Sequence, residues 1–180
     1  GQFDVTSVLN AICEKLIYRH PHIYGDVTVS GEEEVKANWE KLKLKEGKKS
    51  VLEGVPASLP ALVKATRIQE KAKGIGFEWE HRQDVWKKVE EEMQELQVEV
   101  EANSEHVEEE FGDVLFSLVN YARFIGISPE NALAQTNQKF INRFQLMEDL
   151  IKEKEIDIRN MTLNELDVFW DEAKLKLKKS

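Results

Sequence analysis

The sequence predicts an all-α protein, and three observations carry that expectation. Apolar residues recur at three- and four-residue steps through most of the chain, which is the period of a helix with one buried face. Glycine, proline and small polar residues fall between those stretches, at the places where helices start and stop. Very little reads as strand, because alternating patterns are nearly absent.

Val5, Val8, Leu9, Ile12 and Leu16 place a helix over 4–20, ended at His20-Pro21 because proline disfavours helical geometry in the residue before it. From Gly25 to Pro56 the composition shifts to Gly, Glu and Lys. Val35, Trp39 and Leu42 suggest one short helix there, and 41–50 reads as mobile. Ser58 and Pro60 open a helix to about Lys73, with Gly74 as its stop. Asp84 is the expected N-cap of a helix reaching about Ala102. Asn103 or Ser104 is expected to cap the next, which runs to about Ile125 before Gly126. Ser128-Pro129 starts a long helix through about Lys154. Thr162-Leu163-Asn164-Glu165 is a capping box for a final helix to about Lys178. These elements make a four- or five-helix core, with no internal repeat.

At 180 residues and 41% hydrophobic, the chain is large enough to bury a core. Its net charge of −9 argues against holding a nucleic acid polymer by a broad basic surface. A small anionic ligand remains open, since a bound cation reverses the local sign. The single cysteine, Cys13, excludes an intrachain disulfide and fits a reducing compartment. No run of 18 apolar residues and no signal-like start is visible, so a cytoplasmic protein with no membrane partner is expected. The chain begins at Gly1 and reads as a fragment of something longer.

Four acids form two identically spaced pairs: Glu92 with Glu95, and Glu110 with Asp113. Residues three apart are neighbours on a helix surface. Ala102-Asn103-Ser104 lies midway between the pairs and looks like the turn of a helical hairpin. Folding about that turn brings all four acids to one level. Carboxylates that close repel unless a hard cation sits among them, and Mg²⁺ prefers oxygen ligands. Val85, Val89, Met93, Leu96 and Val100 form the apolar stripe of the first helix, with Glu92 nearer to it than Glu95. Val107, Val114, Leu118 and Ile125 form that of the second, with Glu110 and Asp113 on its flank. Lys88 and Glu99 share the flank of Glu92, and Ser117 and Asn120 that of Asp113.

The competing reading is plain solvation, because Glu90-Glu91-Glu92 and Glu108-Glu109-Glu110 are charge runs and most such runs face water. The doubled spacing, the symmetry about a turn and the placement beside the stripes favour a metal site. Glu78-x-x-His81 has the ligand spacing of a di-iron bundle, but it occurs once and precedes the helix. His20 and His22 flank a proline in a loop, where a structural role is commoner than ligation.

Glu91-Glu92-Met93-Gln94-Glu95 followed by Glu110-Phe111-Gly112-Asp113 resembles the EExxE…ExxD signature of the MazG nucleoside triphosphate pyrophosphohydrolases. The likeness extends from Gly54-Val55-Pro56 through Gln69, Lys71-Ala72 and Gly76-Phe77-Glu78-Trp79. It continues in Val119-Asn120-Tyr121-Ala122-Arg123, Asn137 to Phe140, Arg143-Phe144 and Val168-Phe169-Trp170. Lys15 to Asp26 resembles instead the tail of the family's N-terminal domain. The resemblance thus implies three parts: 1–26, the tail of an N-terminal MazG-like domain; 27–53, a linker with a short helix; and 54–180, the catalytic MazG-like domain.

The resemblance implies Mg²⁺-dependent hydrolysis of nucleoside triphosphates to the monophosphate and pyrophosphate, a nucleotide-pool house-cleaning activity. It places Glu92, Glu95, Glu110 and Asp113 on the ion or ions. Glu91 or Glu109 is expected to orient or deprotonate the attacking water. Lys139 and Arg143, four apart on one helix, are expected on phosphates, Trp170 on the base, and Lys88 and Glu109 on other parts of the substrate. Trp79 is read as packing the loop before the acidic helices. Catalytic hairpins are expected to pair across a two-fold axis into a four-helix bundle, a homodimer, and Phe111, Leu115 and Phe116 widen the apolar face accordingly. The alternatives are a di-iron carboxylate bundle and a non-catalytic helical interaction module.

Overall fold

A computed structural model of the chain describes residues 4–31, 34–35, 38–39, 42 and 50–178. Among them are seven α-helices, one 3-10 turn at Ile158–Asn160 and no strand, as the periodicity predicts. The helices are α1 (Val5–Arg19), α2 (Pro21–Tyr24), α3 (Ala61–Lys73), α4 (Arg82–Ala102), α5 (Val107–Phe124), α6 (Pro129–Glu153) and α7 (Leu163–Leu177). Glu34, Val35, Asn38, Trp39 and Leu42 are also helical, in keeping with the short helix expected there. The remainder of 32–49, which includes most of the stretch read as mobile, lies outside the described residues.

The chain forms two compact units, which divide after Gly126. In the first, α4 and α5 pair as an antiparallel hairpin and α3 docks on α5. Val85, Val89, Val114 and Val119 are buried there, as are the polar Gln69 and Lys71. Lys71 Nζ donates to the carbonyl of Val51 at 3.2 Å, tying the turn after Ser50 to α3. In the second unit α6 packs on α7 around Met147, Leu150, Ile151, Phe169 and Ala173.

Capping shows where sequence rules held and where they slipped. Ser128 Oγ accepts from the Asn131 N–H at 3.3 Å, and both halves of the Thr162–Glu165 capping box are formed. Asp84 is not an N-cap: α4 begins at Arg82, and Asp84 pairs with Lys87 at 2.9 Å inside the first turn. An acid in that turn still meets the positive end of the helix dipole, so the favourable electrostatics remain. Asn103 closes α4 rather than opening α5. Its φ of 50° is left-handed, a conformation that asparagine tolerates and that ends helices. Ser104 Oγ then accepts from the His106 N–H at 3.0 Å, just ahead of α5.

His20 stands edge-on to Trp39 at 4.6 Å, with Nδ1 2.7 Å from the Leu16 carbonyl, so its contacts are packing contacts. No helix of the described residues is long and apolar enough to cross a membrane.

Candidate metal centre and its cavity

The buried face of α4 runs through Val85, Val89 and Glu92 to half-buried Leu96, in steps of four, three and four. Met93, expected on that stripe, is 56% exposed, and Val100 is 55% exposed. On α5 the facing seam runs through half-buried Val107 and Glu110, buried Val114 and Ser117, and half-buried Tyr121. Leu118 and Ile125, expected there, are exposed. An acid therefore occupies a core step in each helix, not the edge the sequence suggests. One residue turns a helix by about 100°, so the choice between Glu92 and Met93 depends on which neighbour fixes the phase.

Across this seam, carboxylate oxygens of Glu92, Glu110 and Asp113 lie within 4.8 Å of one another, and the three residues grade from buried to exposed. Glu95 is exposed and stands outside that trio, but its charge acts on Glu110. The Glu110 carboxyl is held above its ordinary range, first by loss of water and then by the negative charges of Glu95, Asp113, Glu92 and Glu109. Such a group is one that a cation would relieve. The donors are all hard oxygens, which suits Mg²⁺.

Lys88 is engaged within the hairpin. Its Nζ donates to Glu91 Oε1 at 2.6 Å and stands 2.9 Å from Glu92 Oε1. Those two bonds, Glu91's first, raise the ammonium's pKa and keep it charged. Glu91 and Glu109 are exposed, at 56% and 73% of their side chains, and Glu109 faces His106 Nδ1 at 3.4 Å. Glu78, the alternative di-iron ligand, is instead bonded to Arg123 and paired with Lys73 at 3.2 Å. Neither Glu78 nor His81 lies on a helix.

A cavity of about 840 Å³ opens beside Glu92 and Asp113. Its far walls are the Val51–Leu52 turn, Ile68, Gln69 and Ala72 of α3, and the 75–79 loop. Asn120 and Arg123 of α5 supply its polar side. Gln69 Nε2 donates to the Phe116 carbonyl at 2.9 Å, leaving the buried Oε1 without a partner. Sequence reasoning missed this cavity and gave Trp79 to loop packing. The available signal was two aromatics, Phe77 and Trp79, within three residues of a glycine, here Gly76 with φ of 87°, which only glycine adopts easily.

Lys139, Arg143 and Trp170 belong to the second unit. The Arg143 guanidinium lies over the Trp170 ring at 4.9 Å, and Phe140 stands 5.1 Å from the same ring. Trp170 is half-buried, and Lys139 is exposed.

A family model described as the MazG nucleotide pyrophosphohydrolase domain matches residues 81–146, which contain the whole acid hairpin. The chain is similar to the nucleoside triphosphate pyrophosphohydrolase/pyrophosphatase MazG of Thermotoga maritima, at 40% identity over 177 residues, covering 97% of the chain and 67% of that relative. It is 35% identical over 181 residues to the nucleoside triphosphate pyrophosphohydrolase of Escherichia coli K12, covering 97% of the chain and 69% of that protein. It is also 46% identical over 179 residues to the uncharacterized protein YabN of Bacillus subtilis, of which it spans 37%. Likeness along nearly the whole chain agrees with the acid hairpin, and the chain belongs to the MazG nucleotide pyrophosphohydrolase family.

Proposed function

We propose that this chain hydrolyses nucleoside triphosphates to the monophosphate and pyrophosphate, with Mg²⁺ held by the acid hairpin. The observation that carries this reading is the trio of carboxylates within 4.8 Å of one another at the hairpin seam. A triphosphate brings several negative charges, and an acidic cluster attracts it only through a bridging cation. When bound, such an ion neutralises phosphate oxygens and lowers the pKa of water. Glu92, Glu110 and Asp113, with Glu95 beside them, are the residues proposed to hold it.

The chain's own side chains have distinct proposed roles. Glu92, sunk in the seam and bonded to Lys88, is the fixed ligand. Asp113 is exposed and free to meet the substrate side. Glu91 or Glu109 is proposed to orient or deprotonate the attacking water. Lys139, Arg143 and Trp170 are proposed to bind substrate, supported by the likeness of that segment to the family. Arg143 stacked on Trp170 offers a cation backed by an aromatic ring, a pairing suited to phosphate oxygens.

The domain division at 26 and 53, a cytoplasmic location and a homodimer are part of the same proposal. Met93, Val98, Phe111 and Leu115 leave the hairpin's outer faces apolar and exposed, which supports pairing with a second hairpin. Light scattering is expected to give twice the 20.8 kDa chain mass, and a stable monomer would remove the dimer.

The activity is tested by incubating the protein with a panel of triphosphates and Mg²⁺, then separating the products. Monophosphate and pyrophosphate are expected, and chelation by EDTA should stop their release. Diphosphate and orthophosphate would place the cleavage elsewhere and defeat the assignment.

A further inference from the structure

We propose that Lys88 is a stand-in cation: its ammonium balances Glu92 until a divalent ion displaces it, so that seating the ion releases Lys88. The proposal rests on the metal role given to the acid hairpin above. It adds that the metal and a lysine of the same helix compete for one carboxylate.

Positive charge is shared out unevenly around the hairpin. Lys88 Nζ stands 2.6 Å from Glu91 Oε1 and 2.9 Å from Glu92 Oε1. Within the first unit, Glu95, Glu110 and Asp113 pair with no lysine or arginine among the described residues. One ammonium thus serves the cluster, and it sits on the most deeply buried acid, whose side chain is 11% exposed. Carboxylates at ligand spacing repel, and the ammonium offsets part of that repulsion. A divalent ion among the same oxygens offsets more of it, and also repels an ammonium held against one of its ligands. The two cations oppose each other on Glu92.

Ordinary helix support does not account for the pair. Lys88 stands four residues before Glu92, and lysine before glutamate is the order that supports a helix less. Lys87 makes the supporting kind of pair, with Asp84 three residues ahead of it at 2.9 Å, and its own side chain is 72% exposed. Lys88 also differs in where it can go. It lines the same cavity as Glu92 and Asp113, so its head can swing off Glu92 while its flexible stem stays on α4. The ammonium set free there points to the side on which substrate is expected.

Mn²⁺ binding to the full chain tests the competition, with nucleotide left out and free Mn²⁺ followed by electron paramagnetic resonance. Mn²⁺ shares the preference for hard oxygen ligands. Lys88→Met and Lys88→Gln remove the charge but keep most of the stem, and each should tighten Mn²⁺ at least about fivefold, the low end of coupling between linked sites. Lys87→Met makes the same change in net charge at an exposed position and should stay within about twofold of wild type. Melting curves read the same linkage in a second way. Lys88→Met should melt below wild type without metal, and saturating Mg²⁺ should narrow that gap. Mn²⁺ binding that is unchanged or weaker in both Lys88 variants overturns the proposal, because the lysine would then be a bystander or a holder of the ligands. Equal tightening in Lys87→Met also overturns it, since net charge alone would suffice. Where wild type binds Mn²⁺ and the Lys88 variants bind it no tighter, only the competition fails. Where wild type binds none, the metal role of the hairpin fails and takes the competition with it.

Discussion

The α4–α5 and α6–α7 pairs have the same form, two antiparallel helices joined by a short connection, and opposite interiors. In α6–α7 the centre of the seam is apolar: Met147, Leu150 and Ile151 meet Phe169 and Ala173. In α4–α5 the same three- and four-residue steps pass through Glu92, Glu110 and Ser117. The α6–α7 pair is optimised for burial, and the α4–α5 pair gives up burial at its centre for charge. The local electrostatics differ in the same sense. Glu165, in the capping box of α7, is held below its ordinary range, first by the Thr162 backbone N–H, whereas Glu110 is held above it. One pair stabilises its carboxylate and the other strains it.

The largest effects expected from this contrast are on turnover. Glu92→Gln or Asp113→Asn should lower Mg²⁺-dependent hydrolysis by at least about 100-fold, because each removes a ligand from an oxygen-only site. The melting temperature without metal should stay level or rise, since one charge leaves a repelling cluster. A circular dichroism melt beside the assay reads both halves, and full activity in either variant would exclude a metal role for that acid.

Ile151→Ala should do the reverse. It leaves a cavity in a dry seam and should cost about 2–5 kcal/mol of stability, by denaturant titration, with the acid cluster untouched. A cost no larger than that of Glu92→Gln would erase the distinction drawn here. Thr162→Ala removes the cap of α7 and should cost about 1 kcal/mol.

The smallest effect is on pH. Glu165 has a folded pKa below its ordinary 4.5, so its contribution is present above that value and is lost as pH falls through the lowered one. Wild type should therefore lose a small increment of stability on acidification that Glu165→Gln lacks. Parallel acid titrations of the two proteins read this difference, and identical pH dependence would exclude the contribution of Glu165.

Helix identity and most boundaries could be read from the sequence, because proline, glycine and capping residues act within a turn or two of themselves. The Ser128-Pro129 start and the Thr162–Glu165 box needed nothing beyond local hydrogen bonds. Phase was harder. Val85 and Val89 are compatible with either Met93 or Glu92 as the next buried step, and hydrophobicity alone selects the wrong one. Counting back from Ser117 through Val114 to Glu110 gives the correct seam, but only once an acid at a core step is admitted. The cavity was out of reach for a different reason. Its walls come from residues 50–52, 68–79, 85–92 and 113–123, and no local pattern states that these meet. Lys88 could be placed on the flank of Glu92, but its bond to Glu91 depends on a rotamer.

A core step given to a carboxylate also has a meaning for anyone engineering this chain. Leucine or isoleucine at position 92 or 110 would complete a seam that now breaks off, and replacing buried charge by apolar volume is often neutral or stabilising. A laboratory selection for heat tolerance alone will therefore tend to collect variants at these two sites, each sturdier and, on the proposed metal role, each inert. Heat-selected libraries of this protein should hold positions 92, 110 and 113 fixed from the first round and seek their gains around Ile151 and Phe169.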